Sequence, residues 1–126
     1  MLRRILVVDD EHNIRNILDF SLDAEGFEVL AASSGAQALA LAESELPDLI
    51  ILDVMMPGDL DGFETCRRLK QDSRTADIPV VLLTARTGRE DRERGKAAGA
   101  DDYVNKPFSP QRVVDTVQAL LTARRR

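Results

Sequence analysis

Residues 49–52 read Leu-Ile-Ile-Leu, and Asp53 follows them directly. Four consecutive apolar residues with no polar alternation predict a strand that is buried on both faces, as in a parallel sheet that helices cover on each side. Pro47 breaks the chain just before this segment, so we expect the strand over residues 48–52. A carboxylate therefore stands at the end of a buried strand.

Similar apolar segments alternate with helical patterns along the rest of the chain. Four further strands are expected at residues 5–8, 28–32, 80–83 and 102–104. Helices are expected at residues 11–24, after Ser33 or Ser34 as N-cap, at 63–69, at 89–98, and after Ser109-Pro110. Five repeats of strand then helix, joined by right-handed crossovers, predict an α/β fold with a doubly wound, five-stranded parallel sheet.

Length and composition fit one globular domain. The chain has 126 residues, of which 44% are hydrophobic and 31% charged, as is usual for a protein with a packed core. We expect a single domain over residues 1–126, with a core at about 2–122 and a basic tail or the start of a linker at 123–126. No apolar run is long enough to span a membrane, and the formal net charge of −5 argues against direct nucleic-acid binding.

The single cysteine and the single histidine limit the chemistry further. Cys66 has no partner for an internal disulfide, which favours a reducing, cytoplasmic location, and we expect its side chain to pack as a small apolar group. His12 stands alone, so a histidine-based metal or catalytic site has no support. We expect His12 to be exposed in the first turn of a helix.

Polar residues stand where the predicted strands end. Asp9 and Asp10 follow the first strand, Asp53 the third, Thr84 the fourth, and Lys106 comes shortly after the fifth. Doubly wound sheets place their sites beyond these strand ends, where the strand order reverses. Carboxylates brought together there would repel each other. A divalent cation such as Mg²⁺, which prefers hard oxygen ligands, would offset that repulsion.

These residue types suit phosphoryl chemistry. Lys106 supplies an ammonium and Thr84 a hydroxyl, so a phosphoryl group beside the acids and a metal would have its charge neutralised on all sides. Asp53 can then act as a nucleophile and form an acyl phosphate. Taken alone, the residues have simpler interpretations, such as a helix N-cap for Asp9 or Asp10 and a solvated side chain for Lys106. Their joint occurrence at several strand ends favours a site.

Five motifs carry a resemblance to a known family. They are Val7-Val8-Asp9-Asp10-Glu11, Asp53-Val54-Met55-Met56-Pro57 with Asp61-Gly62, Leu83-Thr84-Ala85, Gly99-Ala100-Asp101-Asp102-Tyr103, and Lys106-Pro107-Phe108. In this order and spacing the chain resembles the receiver domain of bacterial two-component response regulators over nearly its whole length. The resemblance implies a flavodoxin-like sheet of strand order 2-1-3-4-5 with five helices.

The resemblance also implies the ligands of a metal and the residue that is modified. Asp53 would be the phosphoacceptor. Asp10 and Asp53 would bind Mg²⁺ directly, and Asp9 would act mainly through water. The backbone carbonyl of Met55 would be a further ligand. No other cofactor is implied.

A second group of residues would respond to the phosphoryl group. Lys106 would pair with its oxygens, and the bond between Lys106 and Pro107 would be cis. Thr84 and Tyr103 would form a switch pair, in which Thr84 moves toward the phosphoryl group and Tyr103 turns inward. The surface that changes would be formed by the fourth helix, the fifth strand and the fifth helix.

The implied function is a signalling switch that phosphorylation activates. Its donor would be a histidine kinase or a phosphotransfer protein, and it would control a downstream protein or an attached output domain. A phosphorylation-dependent homodimer through the changed surface is a further expectation, whereas binding to nucleic acid or membrane is not expected. The chain would not be an enzyme beyond catalysing its own phosphotransfer and dephosphorylation.

Three other functions remain open from the residues. An aspartate-nucleophile phosphatase usually has a second acid two residues after the nucleophile, where this chain has Met55. A flavin-binding module needs a phosphate loop after the first strand, and Asp9 and Asp10 would repel a phosphate there. A docking scaffold that has lost phosphorylation would not need the full set of acidic, hydroxyl and ammonium groups.

Overall fold

The structure is a computed structural model that describes residues 2–85 and 88–124. Within them, strands and helices alternate from β1 to α5. The strands are β1 Arg4–Val8, β2 Glu28–Ala32, β3 Leu49–Asp53, β4 Val80–Thr84 and β5 Asp102–Asn105. The helices are α1 His12–Asp23, α2 Gly35–Glu45, α3 Gly62–Gln71, α4 Arg89–Ala97 and α5 Pro110–Arg124. Residues 125 and 126 of the basic tail lie outside the described residues.

The five strands form one parallel sheet of order β2-β1-β3-β4-β5. The predicted doubly wound sheet and its strand order are therefore confirmed. The order reverses between β1 and β3, where Val8 lies opposite Leu52. The carboxyl ends of these two strands are thus neighbours at the edge where such sheets bind their ligands.

Side chains alternate between the two faces of the sheet. All five residues of β3 are buried, as the unbroken apolar run predicts. Ile50 and Leu52 pack toward α2 and α3, whereas Leu49 and Ile51 pack toward α1 and α5. The sheet is therefore covered on both sides, which explains why its central strand tolerates no polar position before Asp53.

Most element boundaries differ from the sequence-based expectation by one or two residues, and two of these differences coincide with a side-chain hydrogen bond. Strand β3 begins at Leu49, just after Asp48, whose carboxylate accepts a hydrogen bond from the backbone N–H of Arg4 with an N–Oδ2 distance of 2.8 Å. Helix α3 begins one residue early, at Gly62, because Asp61 is its N-cap and accepts from the backbone N–H of Glu64 at 2.8 Å. A capping carboxylate satisfies a backbone donor that the helix itself leaves unpaired.

The single cysteine and histidine are placed as expected. Cys66 is fully buried, and its Sγ lies 3.5 Å from the carbonyl oxygen of Ala98. Burial raises the pKa of this thiol to about 11. His12 is exposed at the first position of α1. Among the described residues, no helix has both the length and the apolar character needed to cross a bilayer.

Candidate functional site

Three carboxylates meet where the strand order reverses. Asp9 and Asp10 follow β1, and Asp53 is the last residue of β3. One carboxylate oxygen from each of the three lies within 4.8 Å of the others. Asp9 and Asp53 are buried, whereas Asp10 is exposed. The structure thus brings together the three acids that the sequence places at separate strand ends.

A single ammonium lies between the two buried carboxylates. Lys106 Nζ is 3.1 Å from Asp53 Oδ1 and 3.3 Å from Asp9 Oδ2. The lysine follows β5, where its backbone N–H donates to the carbonyl oxygen of Thr84 at 2.8 Å. The Lys106-Pro107 peptide bond is cis, as the resemblance implies. The alternative of a solvated Lys106 side chain is wrong, since its side chain is only 18% exposed.

Burial and repulsion make Asp53 hard to ionise. Loss of solvent raises the pKa of Asp53 to about 6, and the negative charge of Asp9 acts in the same direction. The hydrogen bond and charge of Lys106 oppose this shift, as does the Met55 N–H, which lies 3.3 Å from Asp53 Oδ1. For Lys106, desolvation lowers the pKa, but contacts with Asp53 and then Asp9 outweigh it and raise the pKa overall.

Asp9 is held in place through both its side chain and its backbone carbonyl group. Its Oδ1 accepts from the backbone N–H of Glu11 at 2.9 Å, and its carbonyl oxygen accepts from Arg15 Nη1 at 2.7 Å. The N-cap of α1 is Glu11, so the alternative of Asp9 or Asp10 as N-cap is wrong. Sequence reasoning missed Arg15. Its only signal is a position one turn into the helix that follows the acidic pair.

The donor set fits a hard divalent cation. Three carboxylates within reach of one point, two of them buried and one facing solvent, suit Mg²⁺, which keeps several waters and needs few protein ligands. The proposed Met55 carbonyl ligand stays a prediction. Met55 is 53% exposed, whereas Met56 is buried in the core.

Thr84 and Tyr103 border the same region from β4 and β5. Thr84 is the last residue of β4 and is buried, and Tyr103 is half-buried opposite Leu82. Both line a cavity of about 360 Å³ between the sheet and α4, together with Phe63 and Gly95. Tyr103 therefore borders open space that Thr84 also lines.

The segment that follows Asp53 folds back tightly onto the sheet. The backbone N–H of Gly62 donates to the carbonyl oxygen of Val54 at 2.9 Å. A Cβ atom on Gly62 would lie 2.5 Å from Val54 Cα and closer still to the carbonyl oxygen of Asp53. Only glycine lets α3 begin against the end of β3, and this contact fixes the loop that carries Met55.

Gly62→Ala is expected to destabilise the protein strongly. The new methyl group meets backbone atoms, which cannot move aside without shifting β3 or α3, so we expect a loss of about 3 kcal/mol in the free energy of unfolding. Gly88→Ala is the matched control, because among the described residues its Cβ would meet the Asp91 carboxylate at 3.4 Å and its φ is an ordinary −66°. Gly88 is the N-cap of α4, so this control should lose only about 1 kcal/mol or less. Urea denaturation checks both, and equal losses would contradict the close approach.

Comparison with known proteins gives a consistent result. The family model of the response regulator receiver domain matches residues 5–118. The alkaline phosphatase synthesis transcriptional regulatory protein PhoP of Bacillus subtilis is 47% identical over 121 residues, which are 96% of this chain and 49% of PhoP. The response regulator PleD of Caulobacter vibrioides is 51% identical over 121 residues, which are 95% of this chain and 26% of PleD. The chain therefore spans between a quarter and half of the length of these two relatives.

Solved structures share the fold. The chemotaxis protein CheY4 of Vibrio cholerae superposes with a TM-score of 0.89 at 36% identity, over 94% of this chain and 98% of CheY4. The response regulator DrrB of Thermotoga maritima gives a TM-score of 0.88 at 35% identity, over 98% of this chain and 54% of DrrB. This chain belongs to the response regulator receiver domain family, whose members are phosphorylation-activated signalling modules of two-component systems.

Proposed function

We propose that Asp53 accepts a phosphoryl group from the phosphohistidine of a histidine kinase or phosphotransfer protein, in a reaction that depends on Mg²⁺. One observation carries this proposal. A buried carboxylate at a strand end lies within 4.8 Å of two further acids and 3.1 Å from a lysine ammonium. Such a constellation supplies a nucleophile, metal ligands and a phosphate-binding cation at one point.

The three acids would have different roles. Asp10 and Asp53 would bind Mg²⁺ directly, and Asp9 would act mainly through water, with the Met55 carbonyl as a further ligand. When bound, the metal would neutralise charge on the phosphoryl oxygens. Asp9 is held by hydrogen bonds with Glu11 and Arg15, and this suits a residue that orients the others.

The transfer itself needs only one bond exchange. A carboxylate oxygen of Asp53 forms a bond to phosphorus as the P–N bond of the phosphohistidine breaks, and the imidazole nitrogen keeps the electron pair. Lys106, which contacts Asp53 now, would then pair with the phosphoryl oxygens. Water would later return the carboxylate and release inorganic phosphate. The phosphatase alternative has less support, because Met55 offers no acid for a leaving group.

The response would begin at Thr84 and Tyr103. Thr84 would move toward the phosphoryl group, and Tyr103 would turn into the cavity that both residues line. The surface of α4, β5 and α5 would then change and control a downstream protein or an attached output domain, or pair two copies of the chain. Phosphorylation would shift an existing equilibrium between two arrangements.

The extent of the module and its partners belong to the same proposal. Residues 2–122 would form the receiver unit, in a cytoplasmic protein, with residues 123–126 as the start of a linker or a basic tail. PhoP is named a transcriptional regulatory protein, and an output of that kind would act through a segment other than this receiver. That the receiver itself does not bind nucleic acid stays a prediction.

Acetyl phosphate provides a direct test. With Mg²⁺, the wild-type chain should gain one phosphoryl mass in intact-protein mass spectrometry, and chelation of the metal should abolish the gain. Asp53→Asn should gain nothing. Asp59→Asn is the matched control, because Asp59 is an exposed acid of the loop that follows β3, and it should react as wild type does. No gain by wild type, or a gain by Asp53→Asn, would refute the assignment.

A further inference from the structure

Helix α4 is attached to the protein without a buried apolar side chain. Of its nine residues, only Gly95 is buried, and every other position carries a charge except the exposed Ala97. By contrast, α1 buries Leu18 and Leu22. The cavity of about 360 Å³ lies directly beneath α4. Burial of apolar area, the main stabilising contribution for a surface helix, is therefore nearly absent here.

Arginine contacts take the place of that burial. The guanidinium carbon of Arg94 lies 4.3 Å from the centroid of the Phe63 ring, and an Nη2 atom of Arg94 lies 3.8 Å from Asp61 Oδ2. Phe63 and Asp61 are the second residue and the N-cap of α3. The guanidinium carbon of Arg92 lies 5.4 Å from the Tyr103 centroid, a longer contact. Cation–π contacts of the Arg94 kind are stabilising but modest.

We propose that α4 opens as a unit separately from global unfolding, and that Arg94 is the positioning residue that latches it to the start of α3. The latch consists of the ring of Phe63 and the carboxylate of Asp61. A helix held by a few polar contacts, with few apolar contacts beneath it, belongs to the least stable part of a structure. This inference goes beyond the proposed phosphorylation and does not depend on it.

Cys66 provides a natural reporter of this opening. The thiol is fully buried, and its Sγ contacts the carbonyl oxygen of Ala98, which caps the C-terminal end of α4. Displacement of α4 removes that cover. Cys66 is the only cysteine, so any reaction with a thiol reagent reports this one position.

The experiment measures the reaction of Cys66 with an aromatic disulfide reagent, without Mg²⁺ or phosphodonor. Wild type should react faster than its global unfolding allows, with a rate that depends weakly on urea. Arg94→Met keeps the aliphatic stem but removes the guanidinium, and should raise the rate roughly tenfold. The control Arg89→Met should leave the rate unchanged, because the Arg89 side chain is 93% exposed and, among the described residues, pairs with Glu93 of the same helix at 3.3 Å.

A second variant keeps the test decisive if Arg94→Met folds poorly. Phe63→Leu removes the ring, and the double variant should react no faster than the faster of the two single variants, since both substitutions break the Arg94–Phe63 contact. Wild-type labelling that simply follows global unfolding would overturn the separate opening. An unchanged rate in Arg94→Met, or independent effects of the two substitutions, would overturn the latch. Because no phosphodonor is present, failure of Asp53 to accept phosphate would leave these results unaffected.

Discussion

Asp53→Asn is expected to make the metal-free protein more stable at pH 7, by up to about 3 kcal/mol, since each pKa unit corresponds to about 1.4 kcal/mol. Burial and then the charge of Asp9 raise the pKa of Asp53 from 3.8 to about 6. The folded protein therefore holds this proton more tightly than the unfolded chain does. Asparagine has the shape of the protonated acid and avoids the buried charge.

The stability difference between Asp53→Asn and wild type should depend on pH. Because the folded pKa is raised, Asp53 costs nothing below pH 4, and its cost grows as the pH rises toward 6 and is complete above it. The difference in free energy of unfolding between Asp53→Asn and wild type should thus grow over this window. Urea denaturation with a chelator present measures it at each pH. A difference that does not vary with pH would contradict the assigned pKa.

Binding of Mg²⁺ should reverse the order of stability of wild type and Asp53→Asn. Mg²⁺ that binds the folded state alone stabilises it in proportion to the logarithm of its concentration. Wild type should gain stability on addition of Mg²⁺ at pH 7, and Asp53→Asn should gain much less because it lacks a ligand. Asp59→Asn should respond as wild type does, since Asp59 is exposed and does not belong to the three-acid cluster.

Lys106→Met is expected to destabilise the metal-free protein at pH 7 by roughly 3–5 kcal/mol, the usual cost of breaking a buried ion pair by removing one partner. Lys106 is the ammonium shared by Asp53 and Asp9, at 3.1 and 3.3 Å. Its removal takes away the ammonium that both of these buried carboxylates contact. The loss should shrink as the pH falls and Asp53 takes up a proton.

Two comparisons separate this effect from a general loss of packing. Mg²⁺ should restore most of the lost stability, because the metal supplies the missing positive charge and its carboxylate ligands remain. Lys96→Met removes an exposed lysine of α4 and should change the free energy of unfolding little. A loss in Lys106→Met that Mg²⁺ does not repair would contradict the role of Lys106 as counter-charge.

The sheet and the acidic cluster could be predicted from sequence because each follows from local pattern plus one general rule. Unbroken apolar runs such as Leu49 to Leu52 identify buried parallel strands, and the strand-end rule then brings Asp9, Asp10 and Asp53 together. The cis bond before Pro107 does not follow from the strand-end rule, and it was predicted from the motif resemblance.

Contacts between elements that are distant in sequence could not be predicted in this way. The Arg94–Phe63 contact depends on how α4 and α3 lie relative to each other, which no periodicity encodes. The Arg15 hydrogen bond to Asp9 is local, but it depends on how the chain turns between β1 and α1, which periodicity does not encode either. The exposure of a helix residue is also set by packing: Ile17 is 44% exposed, since α1 buries only the stripe around Leu18 and Leu22.

The most direct test identifies which acid carries the phosphoryl group. After reaction with acetyl phosphate and Mg²⁺, borohydride reduces an aspartyl phosphate to homoserine, and peptide mass spectrometry locates that residue. The account predicts homoserine at position 53 alone, with Asp9 and Asp10 unchanged. Homoserine at position 9 or 10, or at no position in a chain that has gained the phosphoryl mass, would contradict it.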